Sequence, residues 1–314
     1  MVKLAVAGGS GNVASEIITG ILAAKKHQVT ILTRKEFTAL EPGLQYKKVD
    51  YNDKASLISA LEGIDVVFSF MVVHLDEGCI AQKNLIHACI DAGVKRFAPS
   101  EWGVKNNNGI YLYKHKDDIA EYLKEINRDK QVLEYTLFQP SLFLDYFAHP
   151  YPLSKTLYTW PFFIDYENKR AIVLDDGNQP IALTRISDIS NIVALALDDP
   201  NPWPPVGGMR GTSTTINQLI ALGEEIRGEK FQLEYVKGED IEKGELKTSW
   251  VPAMTHPIIP LESREKFSKE FIVMFMVGIL RGAWNTSDEW NKRYPDYKFT
   301  SAEEYLIEAW KGKS

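Results

Sequence analysis

The clearest candidate for chemistry stands at the start of the chain, where an apolar run ends in Gly8-Gly9-Ser10-Gly11 and a helical pattern begins at Asn12. Gly8, Gly11 and Ala14 are spaced G-x-x-G-x-x-A. A bound phosphate needs backbone N–H donors, and a Cβ would block its approach; glycine supplies both the turn and the clearance. The helix that follows offers its positive end to a pyrophosphate. Ala14 takes the place of a third glycine, whose role is close helix–strand packing. No G-K-[ST] closes the loop, which excludes a P-loop. Strand, glycines and helix in this order predict dinucleotide binding rather than a plain glycine turn.

The second strand ends Thr33-Arg34-Lys35, with two cations where an NAD enzyme usually carries an acid. Arg34 can grip a 2′-phosphate bidentately and Lys35 can add charge. The expected cofactor is therefore NADP(H), although Glu36 follows closely. Asp50 ends the third strand, either near the adenine or as a turn cap.

These residues need a scaffold, and the apolar patterning predicts one. Strands are expected at Val2–Ala7, Val29–Thr33, Gln45–Val49, Val66–Phe70, Arg96–Pro99 and Glu134–Phe138. Helices are expected at Asn12–Lys25, Ala55–Leu61, Glu77–Ala92 and Lys116–Ile126. Near-continuous apolar strands alternating with helices predict an α/β fold, a doubly wound parallel Rossmann sheet. Residues 1–150 are expected to form the NADP-binding domain. Residues 151–314 are expected to form a smaller, mainly helical substrate-side lobe interleaved with the last strands of the sheet. There, a strand is expected at Ala171–Leu174, a helix starting near Ser187-Asp188, and a helix at Thr215–Arg227 capped by Ser213 or Thr214. A further strand is expected at Phe231–Val236, with a mostly helical remainder.

Composition narrows the partners. The 314 residues are 45% hydrophobic and 25% charged, with a net charge of −6, which disfavours a general nucleic-acid binder. Cys79 and Cys89 lie ten positions apart on an expected helix. That is about 15 Å at 1.5 Å per residue, too far for a disulfide. Free thiols fit a reducing, cytoplasmic setting. The six histidines show no metal-ligand spacing, so no metal is expected. The opening residues lead straight into a strand, so no signal peptide is expected. The apolar run Phe271–Leu280 is too short to span a bilayer and reads as a buried helix.

With these residues in hand, the chain resembles the NmrA-like and isoflavone reductase-like family of atypical short-chain dehydrogenases. The resemblance rests on the glycine loop, on Arg34, and on the Val94–Gly103 segment VKRFAPSEWG within Gln82–Gly103. It extends to Tyr135–Pro150 and Val206–Gly228 and covers most of the chain. Ordinary short-chain dehydrogenases use Y-x-x-x-K, but Tyr111, Tyr113 and Tyr122 are followed four positions on by His115, Asp117 and Ile126. The isoflavone reductase-like enzymes instead use a lysine on the helix after the S-E-F-G segment. Lys116 matches that place, and its spacing to Ile119, Ala120 and Leu123 puts these residues along one side of a helix. Lys114 is the alternative register, and a surface lysine is the bland one.

The resemblance implies cofactor contacts at Gly8, Ser10, Gly11, Asn12, Val13, Arg34, Lys35, Phe70, Gln82, Ser100 and Lys116, with Lys116 catalytic. Gln82 could equally cap a helix, and Ser100 and Glu101 could equally close a turn. Trp102, Phe143, Tyr146 and Phe147 are expected to line a pocket for an aromatic or conjugated substrate, although some of the chain's aromatics must be core. His115 is expected to face solvent. Two functions follow: an NADPH-dependent reductase of a small aromatic or conjugated molecule, or a non-catalytic NADP(H) sensor of NmrA type. Lys116 favours the first, because the regulator branch generally lacks it. A sugar-nucleotide epimerase is disfavoured by the missing Y-x-x-x-K. The sequence leaves the oligomeric state open.

Overall fold

The computed structural model describes residues 1–36, 43–257 and 259–313. In the first half β1 (Lys3–Ala7), α1 (Asn12–Ala23), β2 (Gln28–Thr33), β3 (Leu44–Lys48), α2 (Lys54–Leu61), β4 (Val66–Ser69), α3 (Ile80–Asp91), β5 (Arg96–Ala98), α4 (Lys114–Ile126) and β6 (Glu134–Tyr135) alternate. The strands form one six-stranded sheet in the order β3-β2-β1-β4-β5-β6, and every pairing is parallel. The direction of winding reverses between β1 and β4, which opens a crevice at the carboxyl ends of those strands. Their register sets Ala7 against both Leu32 and Ser69, so the turns leaving β1, β2 and β4 emerge at one edge.

Period-two patterning gives the central strands two apolar faces. Leu4, Val6 and Phe68 pack with Ile17 and Ile21 of α1, whereas Ala5, Ala7 and Val67 pack with Leu57, Leu85, Ile119 and Leu123 of α2, α3 and α4. Both faces are covered, as a parallel sheet requires.

The chain continues as β7 (Leu137–Gln139), β8 (Leu142–Phe143), β9 (Ile164–Asp165), β10 (Arg170–Leu174), β11 (Ile181–Thr184), α5 (Ile186–Asp198), β12 (Val206–Gly208), β13 (Thr212–Thr214), α6 (Ile216–Arg227), β14 (Gln232–Val236), α7 (Gly238–Glu242), α8 (Arg264–Leu280), α9 (Glu289–Arg293) and α10 (Ala302–Trp310). β7 pairs with β12, and β8 with β11, so the strands just after the main sheet are joined to later ones. α5 packs beside α1 on the sheet. Residues Phe271–Leu280 form the buried half of α8. Among the described residues no helix is long and apolar enough to cross a membrane.

Several expected boundaries move: α4 begins at Lys114 rather than Lys116, and the strand expected over Glu134–Phe138 splits into β6 and β7, which belong to different sheets. The helix expected from Glu77 begins at Ile80. Gly78 and Cys79 are left-handed, and the Asp76 carboxylate accepts the Ala81 and Gln82 amides at 2.9 Å each, capping the helix one turn late. Cys79 is thus outside the helix; both thiols are free. The cap of α6 is Thr215, in a reciprocal box with Gln218, because Thr212–Thr214 are taken up in β13.

Asp145 ties the halves together. It is fully buried and accepts the Ile186 amide at 2.9 Å and the Tyr305 hydroxyl at 2.8 Å, joining the segment after β8 to α5 and α10. Asp145→Ala strands both donors and is expected to cost about 1–3 kcal/mol in denaturant unfolding, whereas Tyr305→Phe removes one bond and costs less.

Candidate active site

The turn after β1 is built from what glycine permits. Gly8 has φ +73°, and a Cβ there would lie 2.7 Å from the Phe70 carbonyl oxygen. This close approach is fixed by the neighbouring ladder, where the Phe70 amide donates to Ala7 at 2.8 Å. The Gly11 amide donates to the Gly8 carbonyl at 3.1 Å and closes the turn. Gly11 caps α1 with no side chain, and no acid stands in the first turn. The first amides of a helix lack intrahelical acceptors. A Cβ at Gly11 would meet only the Gly8 carbonyl oxygen, at 3.4 Å, so the outer side of the turn is open. The cradle therefore fits a pyrophosphate in shape and in polarity.

Ser10 and Gly11 are exposed, Val13 is half-buried, and Ala14 is buried against the sheet. The Asn12 side chain is engaged elsewhere, donating to the Thr156 carbonyl at 2.6 Å. The Glu16 carboxylate accepts from the Thr156 hydroxyl at 3.0 Å and the Leu157 amide at 3.2 Å. A segment from the second half is thus strapped onto the first turns of α1, leaving Asn12 its backbone amide to offer.

At the end of β2, Arg34 and Lys35 are exposed. Glu36 turns away to pair with Lys48 at 2.6 Å. Burial pushes the Tyr51 hydroxyl up to about 12, and the Arg34 guanidinium opposes the shift, which sets Arg34 beside Tyr51. Asp50 caps a turn by accepting the Asn52 amide at 2.9 Å.

The other end of the crevice is formed by the exits of β4 and β5. The Gln82 side chain accepts the Ser100 amide at 2.9 Å, and the Ser100 hydroxyl donates to the Met71 carbonyl at 2.7 Å. Gln82 is buried and acts as the brace of the β5 exit rather than as an exposed contact. Trp102 is not a free pocket wall. It stacks on Phe70 with centroids 4.3 Å apart and on Phe138 at 5.1 Å, and its indole N–H donates to the Ser69 carbonyl at 2.7 Å.

The two candidate lysines on α4 differ sharply. Lys114 is exposed and pairs with Asp118 at 2.6 Å. Lys116 is half-buried, and its ammonium donates to the Glu101 carbonyl and sits 4.5 Å from the centre of the Tyr113 ring. Burial lowers its pKa, while the charges of Glu101 and Asp117 pull the other way. Glu101 itself is 1% exposed. Burial pushes its carboxyl up to about 7, against the opposing pull of Lys116 and the Asn106 amide. The Asn106 amide lies 3.2 and 3.3 Å from the two carboxyl oxygens, and Gln139 donates to Asn106 at 2.6 Å.

Tyr146 is half-buried and stacks on Phe143 at 6.1 Å and on Phe162 at 5.6 Å. Phe143 and Phe147 are core rather than open pocket walls: Phe143 is buried, and Phe147 is 1% exposed and packs edge-on against Phe162 and Phe163. His115 is half-buried, with Nδ1 shielded from solvent, rather than solvent-facing. A cavity of about 530 Å³ opens beside the Tyr111–Tyr113 turn, between Ile110, Tyr111, Val273, Met274, Val277 and Arg281. The sequence reading missed Asn106, Gln139 and this cavity. Tyr113 alone left a signal, standing three residues before Lys116 on the same helical side.

The profile of the NmrA-like family matches residues 2–306. The chain belongs to the NmrA-like family. Among curated members, the chain is 28% identical over 276 residues to a protein named oxidoreductase swnN from Metarhizium robertsii, covering 78% of this chain and 80% of that one. It is 27% identical over 277 residues to phenylcoumaran benzylic ether reductase PT1 from Pinus taeda, covering 87% and 82%. A solved structure titled AtPrR2 with NADP+ and (+)pinoresinol superposes with a TM-score of 0.69 at 23% identity, covering 98% of both chains. That identity speaks for the shared fold, the doubly wound Rossmann sheet described above.

Glu101 gives the site a pH signature. An unfolded glutamate titrates near 4.5, whereas the folded group titrates near 7. Between these values the folded state holds the extra proton, so stability falls as pH rises and the penalty is complete above about pH 7. Glu101→Gln removes it. The stability of Glu101→Gln relative to the parent is expected to rise from pH 4.5 to pH 8 in parallel denaturant titrations; a flat difference contradicts the assignment.

Proposed function

We propose that the protein is an NADPH-dependent reductase of a small aromatic or conjugated molecule. The observation that carries the reading is Lys116: a desolvated lysine at the carboxyl edge of a Rossmann sheet, anchored on the segment that leaves β5 and seated over the Tyr113 ring. The names of the relatives, an oxidoreductase and a benzylic ether reductase, support the same class.

The residues suit the cofactor. The Gly8–Val13 turn would hold the pyrophosphate, Arg34 and Lys35 the 2′-phosphate, and Phe70 and Ser100 the nicotinamide end. NADPH bound there supplies a hydride for an electrophilic carbon of the substrate. Lys116 supplies the matching proton to the oxygen that gains charge, so the substrate takes up one hydride and one proton. Burial lowers the cost of giving that proton up. The Glu101 carbonyl fixes the direction of the ammonium, and half-buried Tyr146 offers a flat face to a conjugated ring.

Three outcomes test the reading. NADPH should bind about tenfold or more tightly than NADH, since one charge-assisted bond contributes about 1.5–3 kcal/mol. Arg34→Ala should erase most of that preference in calorimetric titrations and leave NADH binding nearly unchanged; equal affinities in the parent contradict it. Gly11→Val puts a branched side chain on the open side of the turn, so both cofactors should fail to bind while the circular dichroism spectrum stays that of the parent. Lys116→Ala should keep NADPH affinity within a few-fold and lose about 10²–10⁴ in turnover on a substrate taken from a panel of aromatic enones and benzylic ethers, whereas Lys114→Ala should retain most activity. An NADPH-binding protein that turns over no member of the panel would instead act as a sensor.

A further inference from the structure

The Glu101 carboxyl has no task so far, yet Glu101 is the most deeply buried acid near the reacting end of the site, at 1% exposure. Its segment is held rigidly. Its own amide donates to the Pro99 carbonyl at 2.7 Å, and the next residue, Trp102, adopts φ +47° with its ring locked in the stack. Gly103 accepts the Ser141 amide at 2.8 Å, and the Lys105 amide donates to the Ala283 carbonyl at 3.1 Å. The carboxyl cannot swing out to water without breaking this loop. Its two oxygens both face the Asn106 amide, whose own carbonyl oxygen accepts from Gln139.

We propose that Glu101 is a positioning residue for Lys116: a caged carboxylate, tethered through Asn106 to Gln139, that sets how firmly the lysine holds its proton. The inference rests on the reading of Lys116 as the proton-handling group.

The charges around Lys116 support this division of labour. From its own helix, Asp117 is occupied by the Asn107 amide at 2.9 Å. From the short turn Val73–Leu75, His74 feels both Lys116 and His115. From below, Tyr113 presents its ring. From the β5 exit comes Glu101, whose carbonyl anchors the ammonium and whose carboxylate is its leading electrostatic partner. Gly103, two residues on, packs close to the Lys116 nitrogen, which a Cβ at that position would meet at 3.5 Å.

The amide tether can follow the charge. As it stands, donors run toward the carboxylate, and Gln139 Oε1 is buried with no donor among the described residues. If Glu101 takes up a proton and both amides rotate, its O–H donates to Asn106 and the Asn106 amide donates to Gln139 Oε1. One buried chain therefore serves the carboxylate and the carboxylic acid alike.

The test reads Lys116 directly and needs no substrate. The whole protein is trace-acetylated with acetic anhydride across a pH series, and each lysine is quantified in its own peptide by mass spectrometry, with exposed Lys114 as internal reference. Removing the carboxylate should weaken the lysine's hold on its proton. At about pH 8, Glu101→Gln is expected to label at Lys116 about tenfold faster than the parent, equivalent to about one pKa unit. The difference should narrow below pH 7, where the parent's Glu101 is itself protonated, and Glu101→Asp should restore the slow rate in part. Lys114 should not change. Asn106→Ala, which strips the donor from the carboxylate, should move Lys116 in the same direction and stands in if Glu101→Gln does not fold. Identical Lys116 profiles in the parent and the variants overturn the proposal, as does a Lys116 that stays unlabelled in all of them. Absence of NADPH oxidation by the parent would overturn the reductase reading alone, because the labelling profile is independent of turnover.

Discussion

The site depends on one contact, the Lys116 ammonium against the Glu101 carbonyl. A lysine brought out of water needs an acceptor for its protons or it loses its charge. Here the acceptor belongs to a loop that cannot yield. Trp102 is pinned between Phe70 and Phe138, Gln82 braces the Ser100 amide, and the second half of the chain holds Gly103 and Lys105. The lysine is therefore aimed by the backbone of the β5 exit and not by its own rotamer preference. Tyr113 lies alongside, with its ring centre 4.5 Å from the ammonium.

That exit is in turn placed by the sheet. Parallel register brings the ends of β1, β2 and β4 to one edge, and the reversal of winding between β1 and β4 leaves the crevice open there. Gly8 belongs to the same constraint, since only a residue without a Cβ lets the glycine turn pass the Phe70 carbonyl. The glycine turn, Phe70, Trp102 and Lys116 are thus linked through consecutive contacts. The strap from Thr156 and Leu157 onto Asn12 and Glu16 adds a clasp from the second half over the start of α1.

The sheet and the glycine turn were legible in the sequence because each leaves a local mark, an apolar run of the right length or a glycine where no other residue fits. Nonlocal partners leave none. The sequence offers Trp102, Phe143 and Phe147 as pocket aromatics, but all three are core, because aromatic identity does not say which ring finds a stacking partner. Asn12 reads as a cofactor contact, and that its side chain is held by Thr156, a residue far along the chain, leaves no mark in the sequence. The late start of α3 hides in Asp76, whose carboxylate competes with the helical pattern that runs through Glu77–Cys79. Lys114 and Lys116 are nearly equivalent in sequence, and only tertiary packing separates the exposed one from the anchored one. Asn106 and Gln139 escape notice for the same reason: a buried amide chain has no periodicity.

The most direct test of the account is a crystal structure of the protein with NADPH. The pyrophosphate should lie on the Gly8–Val13 turn, the 2′-phosphate against Arg34 and Lys35, and the nicotinamide in the crevice with its reactive carbon facing the Lys116 ammonium, which keeps its bond to the Glu101 carbonyl. A nicotinamide ring directed away from Lys116, or a 2′-phosphate that ignores Arg34, would contradict it.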